Sequence, residues 1–312
     1  MMNKKKEPTV ELRYYDVPQG ESALALLGEK WVRMYGNDVN NLHFHNLYEI
    51  GYCIRGRGIM SLEDERMEYD TDTLTAIPPN YPHTTISENV DSWEYLFVDF
   101  ESVVADMFPG DPAGQRERIS MINSRATFIR GGEAKELKEL VRKILDEFRN
   151  KDSDYVRMTQ CLLSVFALEL YRMAEKETAG KVPRYEGRKG FEQIFGALRY
   201  IDTHYNEDIK AADLAAQCCM SEVHLRRLFC EYVNLPPMDY VNLVRVQKAR
   251  DLMQRTDYPM DMVASECGFA STSAFNRNFR KFTNNSPYQW KLGKENHKGR
   301  LLDYNILAVK GW

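Results

Sequence analysis

Three side chains that can bind a metal ion lie in one short segment of the N-terminal third. His43, His45 and Glu49 occur within HFHNLYE (43–49). Imidazoles and a carboxylate suit iron, manganese, nickel or zinc and can leave coordination positions open for a substrate. The same groups can instead hydrogen-bond to one another or to a polar ligand, because buried polar groups need partners. The residues alone leave open a metal-dependent enzyme, a metal sensor and a ligand pocket without metal.

The elements that must position these side chains are β-strands. Residues 42 to about 100 alternate apolar and polar positions in YEIGYCI (48–54), TLTAIPP (73–79) and SWEYLFVDF (92–100). The last segment is apolar on both faces, which favours a strand covered on both sides, as in a barrel or sandwich. Its Trp93 and Tyr95 can offer ring faces to a sugar, although aromatic residues on such a strand are more often core residues.

The period then changes from that of strands to that of helices. Apolar residues at helical spacing predict two amphipathic helices, about 133–150 and 154–176, which form a helical hairpin. This hairpin, assigned to 130–176, either covers the β-domain or forms a dimerisation surface, or does both. The charged segment that follows, 177–190, contains Gly and Pro and is predicted to be an interdomain linker. A tail, 296–312, has no assigned role.

The C-terminal part contains an internal repeat with an offset of fifty residues. The shared pattern is S-x5-R-x-F-x4-N-x2-P-x2-aromatic, and it begins at Ser221 and again at Ser271. Each copy has the order of a helix-turn-helix unit, in which the serine caps the second helix. A single long helix, 237–255, is predicted between the copies and would space them so that two recognition helices enter successive major grooves. We assign residues 191–295 to an all-α DNA-binding domain.

One face of each second helix is predicted to point outward, towards double-stranded DNA. Arginine is suited to guanine, short polar side chains can approach base edges or phosphates, and the capped helix N-termini offer N–H groups to phosphates. Residues 191–295 contain thirteen basic and thirteen acidic residues, so we expect modest but site-selective binding. The outward residues are Val223, Arg226 and Arg227 in the first unit and Thr272, Ser273, Asn276 and Arg277 in the second.

Composition excludes several other classes. The net charge of −4 argues against a non-specific binder of polyanions, and 43% hydrophobic residues is typical of a globular protein. No apolar segment is long enough to cross a membrane, and no apolar segment follows the N-terminal lysines, so we expect neither membrane association nor a signal peptide. The six cysteines have no paired spacing, which favours free thiols in the cytoplasm. No phosphate loop, dinucleotide fingerprint or catalytic triad is present, and we predict no cofactor and no enzyme activity.

At these residues the sequence resembles the AraC family of bacterial transcription regulators. GFASTSAFNRNFRKFTNNSPYQW (268–290) is similar to the family's signature around its second helix-turn-helix, and the resemblance implies base contacts by the outward residues of both units. H-x-H-x3-E-x6-G (43–56) and DTLTAIPPNYPH (72–83), which ends at His83, resemble the two cupin motifs. The resemblance implies that His83 joins His43, His45 and Glu49 inside a barrel, where the four side chains can hold a metal ion or a polar ligand. The resemblance therefore implies an α+β protein of two domains, with a cupin-like barrel and N-terminal arm in residues 1–110, in which residues 8–20 are the candidate arm.

Several positions depart from the family pattern. Asn234 and Asn284 stand where the family usually has glycine, and asparagine tolerates the left-handed conformation well. Cys219 also replaces a common glycine, which costs more if its φ is positive. Asp72 and Asn80 occupy usual glycine positions of the second cupin motif. The fold resemblance is therefore stronger than the resemblance to a metal site.

The resemblance also implies a function. Members often sense a small molecule, frequently a sugar, in the barrel, so the predicted function is a ligand-responsive, sequence-specific transcription regulator. The implied partners are DNA, a small-molecule effector such as a carbohydrate, a second copy of the chain and RNA polymerase. Candidate effector contacts are His43, His45, Glu49, His83, Trp93 and Tyr95.

Overall fold

The structure is a computed structural model, and it describes residues 10–178 and 192–292 apart from short gaps at 14, 16, 19, 22, 37–38, 40–41, 63–64 and 234. These residues form two compact units, one before and one after the predicted linker. From residue 179 on, the linker lies outside the described residues, as does the 296–312 tail. The two units are described separately.

The N-terminal unit is built on two β-sheets. Eleven strands are present among the described residues: β1 (Val10–Arg13), β2 (Ala23–Leu26), β3 (Val32–Arg33), β4 (Leu42–His45), β5 (Tyr48–Arg55), β6 (Arg57–Leu62), β7 (Glu65–Asp70), β8 (Leu74–Ile77), β9 (His83–Ser87), β10 (Asp91–Val98) and β11 (Thr127–Ile129). The first sheet has the order β1-β4-β9-β6-β7. The second has the order β11-β8-β5-β10-β2, and β3 also pairs with β10. The expected β-rich N-terminal domain is confirmed.

The second sheet carries a layer of helices on one face. These are α1 (Phe100–Met107), α2 (Pro112–Ile122), α3 (Lys135–Asn150) and α4 (Tyr155–Thr178). Alternate residues of β5, β8 and β10, such as Ile50, Leu74 and Leu96, share one apolar core with Val141 of α3 and Phe166 of α4. Because helices α3 and α4 bury their apolar stripes against this face, the hairpin covers the sheet. The sequence did not indicate α1 or α2.

Ion pairs add directional contacts between the hairpin and the sheet. Arg149 of α3 donates from Nη2 to both carboxylate oxygens of Glu94 on β10, at 2.9 and 2.7 Å. The buried Lys138 donates to Asp72 Oδ2 at 3.1 Å and to the carbonyl oxygen of Gly131. Charge-assisted bonds of this kind fix geometry as well as adding stability. They define where helix α3 lies on the sheet.

The C-terminal unit is helical. It contains α5 (Glu192–His204), α6 (Ala211–Gln217), α7 (Glu222–Tyr232), α8 (Pro237–Arg255), α9 (Met260–Glu266), α10 (Thr272–Thr283) and α11 (Pro287–Leu292). Helix α8 has the bounds that its sequence predicts, with Pro237 in the first turn, where a missing N–H costs no hydrogen bond. The overall architecture is therefore α+β, with a β-rich domain followed by a helical domain.

The fifty-residue repeat has a packing explanation. Phe229 of α7 contacts Tyr240 edge to face, with ring centroids 6.0 Å apart and planes at 66°. At the corresponding positions of the second copy, Phe279 of α10 contacts Trp290 at 6.1 Å and 72°. The two repeat prolines, Pro237 and Pro287, begin the helices that carry Tyr240 and Trp290. The repeated residues thus build the same helix–turn–helix core twice.

Two further expectations concern the surface and the thiols. Among the described residues, no helix has the length and hydropathy needed to span a membrane. All six cysteines are free thiols, and Cys53 and Cys267 are buried.

Candidate effector pocket and nucleic-acid interface

The structure brings the four candidate metal-binding side chains together inside the N-terminal unit. His43 on β4 and His83 on β9 are directly paired across the first sheet, with ring centroids 4.2 Å apart. Glu49 extends from β5 in the second sheet, and its Oε2 lies 3.1 Å from Nε2 of His45 and 3.5 Å from Nε2 of His83. All four side chains are at most 2% exposed. The cluster is therefore buried and joins the two sheets.

The charge state of the cluster follows from burial and from its neighbours. Burial raises the pKa of Glu49, but the charges and hydrogen bonds of His83 and His45 outweigh burial and lower this pKa to about 2. Burial also lowers the pKa of His43, as do Arg13 and the other imidazoles. The pKa of His45 is lowered because burial outweighs its hydrogen bond to Glu49. At neutral pH Glu49 is therefore ionised, and the imidazole of His43 is neutral.

Part of this cluster has the donor geometry of a metal site. One ligand atom each from His43, Glu49 and His83 lies within 4.8 Å of the others. His45 is not part of this group of three; its Nδ1 lies 2.7 Å from the carbonyl oxygen of Leu47, and its Nε2 lies 3.1 Å from Glu49 Oε2. Neutral imidazoles and a carboxylate are the ligand set expected for a first-row transition metal. The donors fit such an ion, which would be held by three side chains.

The candidate effector contacts Trp93 and Tyr95 lie on the inner face of β10 and are buried. Their rings stack at a centroid distance of 5.8 Å, and Trp93 also contacts Tyr69 edge to face at 5.0 Å. Gly51 makes room for Tyr95, because a Cβ at this position would lie 3.2 Å from its ring. Both aromatic residues are core residues in this structure, and their contact with an effector stays a prediction.

The sequence did not single out two aromatic residues that border the cluster. Tyr15 stacks on Phe97 at 3.9 Å, and its ring lies 6.0 Å from that of His45. Asn46 holds the backbone of Tyr15 by accepting from its N–H at 2.7 Å and donating to its carbonyl oxygen at 2.9 Å. The N-terminal arm therefore reaches the His/Glu cluster. The only feature of the sequence that indicated this contact was the presence of an aromatic residue, Tyr15, before the predicted strands of the β-domain.

The first helix-turn-helix unit consists of α6, a turn and α7. Ser221 caps α7 by accepting from the backbone N–H of His224 at 3.3 Å. Leu225 and Phe229 are buried, whereas Val223, Arg226 and Arg227 are exposed. Because α7 buries one side and exposes the predicted residues on the other, its outward face is the one that the sequence indicates.

The second unit consists of α9, a turn and α10. Ser271 caps α10 by accepting from the N–H of Ala274 at 3.2 Å, and Phe275 and Phe279 are buried. Of the predicted DNA contacts, Ser273 and Arg277 are exposed, and Thr272 and Asn276 are partly exposed. All four are therefore accessible to a ligand, and their contact with DNA stays a prediction.

The backbone explains several unusual residues. Cys219, in the first turn, has φ +51°, and Asn284, at the end of α10, has φ +57°. Asp72 and Asn80 likewise have positive φ, so all four residues adopt the left-handed conformation that glycine tolerates best. In the second turn Gly268 has φ +76°, and a Cβ there would lie 2.7 Å from the carbonyl oxygen of Tyr205. Asn234 lies outside the described residues.

A β-rich domain with a buried polar cluster, followed by two helix-turn-helix units, is the architecture of proteins that combine a ligand-binding and a DNA-binding domain. Comparison with protein families gives the same two parts. Residues 33–160 match the AraC-like ligand binding domain, and residues 214–292 match a helix-turn-helix domain. Residues 33–160 are thus similar to the ligand-binding domains of AraC-type regulators. Neither matched domain is that of an enzyme.

Individual curated relatives match only part of this chain, at about 30% identity. The regulatory protein PocR of Salmonella typhimurium is 30% identical over 130 residues, which are 41% of each protein. A helix-turn-helix-type transcriptional regulator of Staphylococcus aureus is 29% identical over 110 residues, which are 34% of this chain and 15% of that protein. The chain thus matches less than half the length of these curated relatives.

Two solved structures are also similar. ToxT of Vibrio cholerae is 13% identical, with 87% of this chain and 98% of ToxT covered at a TM-score of 0.37. An AraC-type transcriptional regulator of Chromobacterium violaceum is 26% identical, with 32% of this chain and 89% of that chain covered at a TM-score of 0.31.

Proposed function

We propose that the protein is a cytoplasmic, sequence-specific DNA-binding transcription regulator that responds to a small molecule and has no enzyme activity. The observation that carries this proposal is the pair of capped helices, α7 and α10, each with one buried apolar side and one exposed polar side. Such helices can enter the major groove with their N-terminal residues against base edges. We assign the base contacts to Val223, Arg226, Arg227, Thr272, Ser273, Asn276 and Arg277, and phosphate contacts to the helix ends at Ser221 and Ser271.

The first experiment is selection of bound duplexes from a random library, followed by a mobility-shift assay on the selected site. Arg277→Ala should weaken specific binding by about 5- to 150-fold, the loss expected for one good arginine–guanine contact. Arg199→Ala is the matched control, because Arg199 is an exposed arginine on α5 of the same unit. Unchanged affinity of Arg277→Ala would mean that the second unit does not contact bases through this residue.

The effector site is assigned to the interior of the N-terminal unit. The ionised Glu49 and the imidazoles of His43, His45 and His83 can hydrogen-bond to a hydroxyl-rich ligand such as a sugar, and Trp93 and Tyr95 provide neighbouring ring faces. A thermal-shift screen of the protein against sugars tests this assignment. A ligand that raises the unfolding temperature of the natural protein should lose its effect in Glu49→Gln. Lack of response to any sugar would contradict the carbohydrate proposal.

The second candidate function is that of a metal sensor or metal-dependent cupin enzyme. The observation that favours a metal is the group of donor atoms from His43, Glu49 and His83 within 4.8 Å. Elemental analysis of the purified protein, and titration with Zn²⁺ or Mn²⁺ followed calorimetrically, test it. Stoichiometric metal that is lost in His43→Ala and kept in His204→Ala would support the metal site, whereas metal-free protein without calorimetric binding would exclude it.

We assign a homodimer to the helical hairpin. On α4 the exposed residues Met158, Cys161 and Val165 follow one another at helical spacing, opposite the buried Leu163 and Phe166. A second copy of the chain is the proposed partner for this stripe. Light scattering should give a dimer for the natural protein and a monomer for Val165→Glu.

In the proposed switch, the effector changes the packing of the arm, sheets and hairpin. The dimer then occupies a different pair of half-sites and recruits or releases RNA polymerase. The contacts of Tyr15 with Phe97 and His45 support a role for the arm. A footprint of the dimer on DNA that is identical with and without effector would contradict this mechanism.

A further inference from the structure

Val223 is an unusual residue for the surface of a helix. Its side chain is 81% exposed, the highest value among the large exposed apolar side chains of the described residues. It lies in the first turn of α7, two residues after the Ser221 cap, whereas Leu225 and Phe229 hold the opposite side of α7 in the core. The exposed position contributes nothing to that core.

Helix stability does not account for a valine at this position. β-Branched side chains lose rotamer freedom in a helix, so alanine, glutamine or lysine would favour an exposed helical position more. Removal of the isopropyl group from water on binding would be favourable, provided that the bound partner offers an apolar group of matching size. The first turn of a recognition helix is the part that approaches base edges.

In the major groove, the apolar group that a base offers is the C5-methyl group of thymine. Guanine, cytosine and adenine have no methyl group there and are recognised through their hydrogen-bonding groups. A valine in the first turn of a recognition helix is therefore matched to thymine and gains nothing from the other three bases.

The two arginines beside Val223 are not equivalent. Arg227 Nη1 donates to Glu231 Oε2 at 2.9 Å, one helical turn further along the exposed face. Arg226, one turn after Val223, has no ion-pair partner among the residues that the structure describes. The guanidinium group of Arg226 can therefore bind a base edge without first breaking a salt bridge.

We propose that Val223 recognises the C5-methyl group of a thymine, next to a guanine that Arg226 contacts. This inference rests on the proposed DNA-binding function and adds to it the chemistry of one part of the site. It concerns α7 alone, since Ser273 and Asn276 occupy the corresponding positions of α10 and are polar.

The test replaces single thymines of the selected duplex by deoxyuridine, which lacks only the methyl group. Affinities of the full-length protein are measured by fluorescence anisotropy. At one thymine the natural protein should lose about four-fold in affinity, the factor that corresponds to one buried methyl-sized group. Val223→Ser should bind the thymine and deoxyuridine duplexes equally, whereas Val223→Thr, which keeps one methyl group, should retain a preference.

Two control variants separate this effect from others. Val90→Ser changes another exposed valine, in the N-terminal unit, and should leave the four-fold ratio unchanged. Arg226→Ala should keep the thymine preference but lose discrimination for guanine at the neighbouring base pair.

The outcomes distinguish this inference from the proposed function. If the natural protein selects a site but no thymine is sensitive to deoxyuridine, the inference is overturned and DNA binding stands. A four-fold ratio that persists in Val223→Ser would also overturn it, because another residue would then contact the methyl group. If no sequence is selected at all, the proposed function and this inference both fail.

Discussion

The two recognition helices differ in charge, and this difference predicts how binding depends on salt. Helix α10 carries Arg277, Arg280 and Lys281 and no acidic residue, whereas the two arginines of α7 are balanced by Glu222 and Glu231. Lys281 donates to Asp239 of α8 at 2.8 Å, so the two arginines of α10 are the cations free to meet DNA among the described residues of that helix. We expect α10 to supply most of the electrostatic attraction.

The perturbation is the double variant Arg277→Gln/Arg280→Gln. An arginine in the major groove neutralises phosphate charge even where it contacts a base edge, and each neutralised phosphate contributes about 0.9 to the slope of log affinity against log salt. Loss of both arginines should therefore make the slope shallower by about 1.8. When the salt concentration rises from 50 to 200 mM, the natural protein should therefore lose roughly ten times more affinity than the double variant. The matched variant Arg226→Gln/Arg227→Gln should change the slope by about 0.9, because Arg227 is already paired with Glu231.

Fluorescence anisotropy with the selected duplex at four or more KCl concentrations measures both slopes. Circular dichroism of each variant checks that the helices are intact. The reasoning would be refuted by an α10 double variant whose slope equals that of the natural protein. Equal changes in the two double variants would show that the Arg227–Glu231 pair does not limit the contribution of α7.

Three further predictions concern stability. Cys219→Gly should raise the free energy of unfolding by about 0.5–1 kcal/mol, because Cys219 has φ +51° and glycine adopts this conformation without a steric cost. An equal or lower free energy of unfolding would show that the left-handed backbone at this position is not strained. Arg149→Ala should lower the free energy of unfolding, measured with urea, by about 1–3 kcal/mol, because it leaves the buried Glu94 without its bidentate partner. Arg172→Ala, on the exposed side of α4, is the control and should change this free energy by less than about 0.5 kcal/mol. Burial raises the pKa of Asp91 above 3.8, so the free energy of unfolding falls as the pH rises from 3.8 to that raised pKa, and the full penalty remains at higher pH. Asp91→Asn should therefore melt no lower than the natural protein at pH 7, and its advantage should disappear below pH 3.8.

The sequence predicted the elements whose stability is local. Helix α8 begins at Pro237, and α7 and α10 begin after serine caps, so residue types near each helix start define its position. The strands β5 and β10 followed from period-2 alternation. Helix α2, by contrast, lacks an apolar stripe, and only Ile122 of its residues is buried. Periodicity gives no signal for such a helix, whose position depends on the surrounding fold.

The His/Glu cluster required long-range pairing that residue spacing does not provide. His43 and His83 meet because β4 and β9 pair antiparallel in one register, and Glu49 reaches them from the other sheet. Only the resemblance to cupin motifs placed these residues together in advance. Tyr15 was missed for the same physical reason, since its contact with Phe97 joins residues far apart in the chain.

The repeat itself separates the residues that build each helix-turn-helix unit from those that face outward. The positions shared by the two copies include the caps Ser221 and Ser271 and the buried Phe229 and Phe279, all of which hold each unit together. Among the outward positions, Arg227 and Arg277 are the same residue, whereas the others differ between the copies: Glu222 corresponds to Thr272, Val223 to Ser273, Arg226 to Asn276 and Cys230 to Arg280.

Because the outward side chains other than Arg227 and Arg277 differ in chemistry, the two helices should prefer different base pairs. The sequence selected by one chain should therefore contain two unlike elements about one helical turn apart, and not a direct repeat. Sequencing of the selected duplexes decides this, since two copies of one element at that spacing would mean that the shared residues, and not the outward ones, determine specificity. Exchange of Val223 and Arg226 for the serine and asparagine found at positions 273 and 276 should then make the first element resemble the second.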